Sequence, residues 1–258
     1  MAHGPAPPIL AGVDRVDGQH GDMPDPEPGR ATAVVALPLH GGVHSDDLAV
    51  QSFARHLAAD AGSAGRSIIA GMRAFLEDKP DLLPDPRWTE PPPTGYRAVE
   101  LLATAAGCSA DDIDRARRAS RSDLAGSAWI LEPVDGFEEL LGVVAGRARL
   151  ILVADHGDPA TGAVLDALEL ADRVELLDEI TLNTQLAQAP AALLIDTTWT
   201  SWLADAHAAG HTTALIDRFG VVGAGRGQAD LTAPNLAGLL PGIAGWLDAL
   251  ATNRERAS

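Results

Sequence analysis

Residues 33–43 read Ala-Val-Val-Ala-Leu-Pro-Leu-His-Gly-Gly-Val, and this stretch decides the fold prediction. The apolar run over residues 31–39 is typical of a buried strand in a parallel sheet. Gly41 and Gly42 then interrupt the run. Polar residues follow at the carboxyl end of this strand, which is the edge where open α/β sheets bind their ligands. The sequence therefore predicts a functional site in the loop after the first strand.

The residue pattern changes twice after this loop. Residues 49–129 carry apolar side chains at helical spacing and predict an all-helical block. From residue 130 onward, helical segments alternate with short apolar runs, which predicts an α/β fold with a doubly wound parallel sheet. We expect a core of residues 31–48 and 130–258, an inserted helical block of residues 49–129, and a flexible tail over residues 1–30, which are rich in Pro and Gly. The predicted later strands cover residues 149–154, 174–177, 191–196 and 212–216.

Composition excludes several functional classes. The chain has 258 residues, 46% of them apolar, and a net charge of −17. Such an acidic chain repels nucleic-acid phosphates, so we expect no nucleic-acid partner. The single cysteine, Cys108, allows no intrachain disulfide. We expect no membrane span and no secretion signal, and we therefore predict a cytoplasmic protein. The abundance of Ala, Gly, Arg, Asp and Pro is typical of high-GC actinobacteria.

Two segments resemble the haloacid dehalogenase-like (HAD) superfamily. Residues 33–43 resemble its first motif, a strand ending in Asp-x-Asp-Gly, with Pro38 and His40 at the two aspartate positions. Residues 192–218 resemble its fourth motif and the strand that follows, with Thr197 and Trp202 at the positions of the metal-binding acids. The resemblance implies a Rossmann-like HAD core with an inserted all-helical cap.

The residues that this family uses for catalysis are absent at the matching positions. Ala154 stands where the second motif has Ser or Thr, and no Lys or Arg lies between residues 177 and 191, where the third motif has one. A phosphatase of this family needs an aspartate nucleophile, an acid–base group, Mg²⁺ and a cation near the transferred group. Because Pro38 cannot act as a nucleophile, we expect altered chemistry with no cofactor and no bound metal. His40 and His44 have a ligand-like spacing, but Gly41-Gly42 disfavours the helix on which that spacing is informative.

The polar residues that remain define candidate roles. His40 matches the family's acid–base position and is expected to protonate or stabilise a leaving anion. Backbone N–H groups of Leu39 and His40 are expected to cradle that anion. Asp155 or Asp47 is expected to accept a proton from a substrate amine. The candidate catalytic residues are His40, His44, Asp47, Asp155 and His156, and the candidate substrate-binding residues are Leu39, Gly41, Ser45, Asp46, Arg121, Thr198 and Trp199.

The pattern of losses, together with the composition, resembles divergent HAD-like proteins of actinobacterial natural-product pathways that form aziridine rings. This resemblance implies metal-independent elimination of phosphate or sulfate from a small molecule, with intramolecular attack by an amine. Two alternatives stay open. One is a non-catalytic subunit of a heteromeric complex with a stabilising partner protein. The other is a Mg²⁺-dependent phosphatase that uses the displaced acids Asp46, Asp47 and Asp196.

Overall fold

One parallel sheet organises the molecule. The computed structural model describes residues 33–77, 92, 94–220 and 228–257, so the predicted tail over residues 1–30 lies outside the described residues. Six strands pair in the order β3-β2-β1-β4-β5-β6. The direction of the strand order reverses between β1 and β4, which is where doubly wound sheets open a ligand crevice. The predicted α/β fold with a doubly wound parallel sheet is confirmed. The strands are β1 (Ala33–Pro38), β2 (Ala148–Val153), β3 (Glu175–Leu177), β4 (Ala192–Asp196), β5 (Thr212–Ile216) and β6 (Leu231–Ala233).

Helices cover both faces of the sheet because successive strand residues point to opposite sides. On one face, Val35 and Leu37 of β1 pack in a cluster with α5, α6 and α9. On the other face, Val34 and Ala36 pack with α7 and α8. These helices are α5 (Phe137–Val144), α6 (Pro159–Ala167), α7 (Glu179–Leu186), α8 (Ser201–Ala208) and α9 (Leu236–Ala257). The α7 helix and the β6 strand are absent from the sequence-based assignment.

In the described part of the inserted block between β1 and β2 lie four further α-helices, which we call the cap. They are α1 (Asp47–Asp60), α2 (Gly65–Leu76), α3 (Gly95–Ala105) and α4 (Ala110–Ser127). The cap has its own apolar cluster, which is centred on the fully buried Phe53 and Leu57 of α1. Ser109 begins α4 with a capping box, in which its side chain and that of Asp112 bond each other's backbone N–H groups. None of the described helices, in the cap or in the core, is long and apolar enough to cross a membrane.

Candidate functional site

The loop after β1, residues 39–46, is a tight turn that depends on a glycine. Gly41 has φ of +78°, and its N–H donates to the carbonyl of His44 at 3.0 Å. A Cβ at position 41 would lie 3.1 Å from Asp46 Oδ2 and 3.3 Å from the Thr197 methyl group. Glycine therefore meets both the left-handed backbone and the close approach of neighbouring side chains. The turn brings residues 40 and 44 together although no helix forms there.

His40 and His44 form a hydrogen-bonded pair whose proton positions follow from the geometry. His44 Nδ1 lies 3.0 Å from the Ser45 carbonyl oxygen, which only accepts, so this nitrogen carries the proton. His44 Nε2 is then an acceptor, and His40 Nδ1 donates to it at 2.8 Å. In neutral His40 the remaining nitrogen, Nε2, therefore carries no proton. That buried Nε2 has no hydrogen-bond partner, and it lies 3.6 Å from Asp158 Oδ2, which is also an acceptor.

Burial keeps both imidazoles neutral. Burial, together with the nearby Arg121 charge, lowers the pKa of His40 to about 3. Burial likewise lowers the pKa of His44 to about 4, against the hydrogen bond to Ser45. In this arrangement the unpaired nitrogen of neutral His40 is an acceptor, so the predicted role of His40, to protonate or stabilise a leaving anion, would need a proton at that nitrogen. The pair instead fixes the shape of the turn.

An ion pair joins the cap to the core beside these histidines. Arg121 of α4 donates from Nε to Asp158 Oδ2 at 2.7 Å, and its Nη2 lies 2.5 Å from the same oxygen. The two side chains are only 13% and 16% exposed. Asp158 also caps α6 by accepting the N–H of Ala160. Arg121 was predicted to bind substrate, but its guanidinium is already engaged by Asp158, a residue that the sequence analysis did not select.

Asp46 lies at the centre of the same region. Its Oδ1 is buried and accepts no hydrogen bond. Burial raises the pKa of Asp46 to about 6, although the charge of Arg121 opposes that shift. The Tyr96 hydroxyl is buried close to Arg121, and burial and the Asp46 charge raise its pKa. We call His40, His44, Asp46, Tyr96, Arg121 and Asp158 the junction cluster, because it lies where the cap meets the core.

A cavity of about 540 Å³ opens beside the junction cluster. The cap and the loops at the carboxyl ends of the strands both contribute to its walls. Its apolar walls include Val50, Leu76, Ile216, Phe219 and Leu236, and its polar residues include Ser45, Asp46, Asp47, Tyr96, Glu132, Asp135, Thr197, Arg218 and Asn235. Phe75 of α2 contacts the Phe219 ring, with ring centroids 4.3 Å apart.

Asp47 and Arg218 form a bidentate pair in the cavity wall. The two guanidinium nitrogens donate to the two carboxylate oxygens at 2.7 and 2.9 Å. The hydrogen bonds to Asp47 raise the pKa of Arg218, although burial opposes that shift. Ser45 Oγ lies at the edge of the same pair, accepting the Asp47 N–H at 3.2 Å. Asp47, predicted to accept a proton, is thus engaged in an ion pair.

The remaining predicted residues lie apart from the cavity. Asp155 and His156 are exposed, and Asp155 Oδ1 accepts the N–H of Gly157 at 2.7 Å. Leu39 is fully buried, and its N–H donates to the Val153 carbonyl at 2.9 Å. The Leu39 N–H cannot bind an anion as predicted, because it continues the hydrogen bonding between β1 and β2 by one residue. Trp199, next to Thr198, packs on the α7–α8 face of the sheet.

The fold family's Mg²⁺ site does not fit the residues present. Asp196 accepts three hydrogen bonds, from the Trp202 indole N–H at 2.7 Å, the Thr200 hydroxyl at 3.0 Å and the Thr197 N–H at 2.6 Å. Burial raises its pKa in spite of these bonds. Mg²⁺ prefers carboxylate and water oxygens in octahedral geometry. The positions that match the family's metal-binding and nucleophilic acids hold Pro38, His40, Thr197 and Trp202, and none of these side chains is a carboxylate.

Comparisons with known proteins identify the fold. No protein-family profile matches the chain. No curated protein sequence matches it either. Among solved structures, it is similar to a HAD-like family hydrolase from Streptococcus pneumoniae, with a TM-score of 0.52, 15% identity, and coverage of 83% of this chain and 99% of that one. A HAD-like hydrolase from Xanthomonas campestris matches with a TM-score of 0.46, 18% identity, and coverage of 88% and 96%. The chain has the haloacid dehalogenase-like fold, as predicted.

Proposed function

We propose that this chain catalyses a metal-independent displacement within a small molecule, in which the substrate's own amine expels a phosphate or sulfate group and closes an aziridine-type ring. One observation carries the proposal. Asp46 lines the cavity and keeps a buried oxygen without a hydrogen-bond partner, while Pro38 occupies the position of the family's nucleophile. The site thus offers a base and no nucleophile, which suits a reaction without a covalent enzyme intermediate.

Asp46 acts as the base in this proposal. As the new N–C bond forms and the C–O bond to the leaving group breaks, the proton on nitrogen passes to Asp46 Oδ1. The electron pair of the broken bond departs with the phosphate or sulfate oxygen. Burial raises the pKa of Asp46 to about 6, so the carboxylate is ionised at neutral pH and a stronger base than an exposed one.

Arg218 and the cavity walls supply orientation. Arg218 is the one cation among the described residues that line the cavity, and its bidentate contact with Asp47 fixes the guanidinium plane. We assign the leaving anion to this side of the cavity. The apolar walls hold the carbon skeleton of the substrate in a folded conformation. Such orientation of the reacting groups is a large part of the rate enhancement of an intramolecular ring closure. The composition suggests a substrate from an actinobacterial natural-product pathway.

The test is turnover of a panel of vicinal amino-alcohol sulfate and phosphate monoesters in the presence of EDTA. We expect released anion and a cyclised product by mass spectrometry. Asp46→Asn should lower kcat by about 10²–10⁴-fold, the usual contribution of a general base. Asp135→Asn, an exposed acid on the rim of the same cavity, is the matched control and should retain most activity. A requirement for Mg²⁺, or full activity in Asp46→Asn, would contradict the proposal.

A second candidate function is a non-catalytic subunit of a heteromeric complex. The observation that favours it is the exposure of two adjacent large side chains at the end of the cap, Trp129 at 80% and Ile130 at 45%. Large exposed apolar side chains of this kind are common at protein interfaces. A stabilising partner protein would cover them. Turnover by the isolated chain in the assay above contradicts a purely non-catalytic role.

A further inference from the structure

Among the buried polar atoms of the junction cluster without a hydrogen-bond partner are an acceptor nitrogen, His40 Nε2, and a carboxylate oxygen, Asp46 Oδ1. Binding of one cation would give both a partner, Asp46 directly and His40 Nε2 through a change of tautomer. We infer that His40 Nδ1, His44 Nε2 and an Asp46 carboxylate oxygen form a three-ligand site for a transition metal of the zinc class. The inference concerns binding alone, and because it uses the Asp46 carboxylate that is also the base of the proposed reaction, its test measures no turnover.

The ligand atoms are already close together. One nitrogen from each imidazole and one carboxylate oxygen all lie within 4.8 Å of one another. In a tetrahedral zinc site with Zn–N distances of about 2.0–2.1 Å, the two nitrogens are about 3.3 Å apart. The observed separation is 2.8 Å, with a proton between the rings. Insertion of the metal therefore needs the two nitrogens to part by about 0.5 Å and both rings to turn until their lone pairs point at the ion.

The outer nitrogen of each imidazole faces the kind of acceptor that metal-bound histidines use. His44 Nδ1 donates to the Ser45 carbonyl at 3.0 Å. His40 Nε2 faces Asp158 Oδ2 at 3.6 Å. When the metal replaces the proton at His40 Nδ1, neutral His40 carries its proton on Nε2 instead. The acceptor–acceptor contact with Asp158 then becomes a hydrogen bond, as in the carboxylate–histidine–metal arrangement.

The donor set selects the metal. Two imidazoles and one carboxylate suit Zn²⁺, Co²⁺ or Ni²⁺, whereas Mg²⁺ requires oxygen ligands. Three protein ligands leave a fourth position for water or another ligand, and one of the three, Asp46, lines the cavity. The charge of Arg121 is neutralised by Asp158, which limits its repulsion of the ion. The His40–His44 spacing predicts ligands only on a helix, whereas here the Gly41 turn brings the two rings together without one.

Metal binding is tested directly, without substrate. The tag-free full chain is stripped with chelator and titrated with Zn²⁺ against a chromophoric chelator, and Co²⁺ is added to read coordination from its visible absorption. We expect one equivalent bound, a tetrahedral Co²⁺ spectrum, and at least about 100-fold weaker affinity in His40→Gln and His44→Gln. His56→Gln is the matched control, because His56 lies on α1 outside the cluster and bonds Asp123.

Circular dichroism of each variant separates loss of a ligand from loss of the fold. A folded wild-type chain that binds no Zn²⁺, or binding that persists unchanged in both folded histidine variants, overturns the inference. Asp158→Asn provides a further readout, since weakening an outer partner typically lowers metal affinity about 10–100-fold. Because no turnover is measured, failure of this inference and failure of the proposed reaction are observed separately.

Discussion

The Arg121–Asp158 pair should hold the cap on the core, and Asp158→Asn tests this. Asparagine still accepts the N–H of Ala160 and keeps the helix cap, so the substitution removes mainly the charge. The side chains are 13% and 16% exposed, and breaking a buried pair costs about 3–5 kcal/mol because a charge is left without compensation. The partial exposure of both side chains and the contact that the introduced asparagine amide can still make with Arg121 reduce that cost. We therefore expect the free energy of unfolding to fall by about 2–3 kcal/mol.

Urea unfolding followed by circular dichroism measures this loss, and the thermal midpoint should fall by about 4–12 °C for a chain of this size. The control is Asp248→Asn, which breaks an exposed pair with Arg147 and should leave the midpoint almost unchanged. The double variant Arg121→Met, Asp158→Asn should lose less free energy of unfolding than the two single variants lose in sum, because neither charge of the pair remains. A loss below about 1 kcal/mol in Asp158→Asn would refute the assigned role of the pair.

Three further perturbations follow from the site. Gly41→Ala should destabilise the chain by more than Gly210→Ala, because both positions have positive φ but only position 41 meets a neighbour at 3.1 Å; equal losses in urea unfolding would contradict this. Trp202→Phe removes the donor to Asp196 and should cost about 1–3 kcal/mol of unfolding free energy; an unchanged value would contradict the importance of that bond. The His44 pKa is about 4 when folded and 6.5 in its reference state, so the unfolded chain binds the extra proton below pH 6.5. When the pH falls from 7 to 5 in the presence of a chelator, the free energy of unfolding of the wild type should therefore fall by about 2 kcal/mol more than that of His44→Gln. Equal decreases in the two proteins would contradict this.

Most of the fold was predictable because buried parallel strands leave a strong local pattern. The predicted strand at residues 212–216 coincides with β5, and the predicted first strand contains β1. The β6 strand has only three residues, Leu231–Ala233, and pairs only with β5, so no apolar run marks it. The α7 helix does have a sequence signal, because Asp178 is a favoured N-cap residue, and its side chain accepts the N–H of Thr181 in the structure.

The site was predictable only in part, because its partners come from distant elements. The sequence predicts a polar loop after β1, and Asp46 of that loop lines the cavity. Tyr96, Asp158 and Arg218 reach the site through the packing of the cap and of the loop after β5, which no local pattern encodes. The histidine pair also required three dimensions, because a turn at Gly41 rather than a helix brings its rings into contact.

The hydrogen bonds around Asp196 have a consequence for redesign. The Trp202 side chain is 5% exposed and its indole occupies one oxygen of Asp196. Aspartates introduced at positions 38 and 197 would therefore stand beside a carboxylate that is already bonded to the indole, the Thr200 hydroxyl and the Thr197 N–H. A metal site engineered at this edge of the sheet would require a change at Trp202 as well, and with it a repacking of the α7–α8 face.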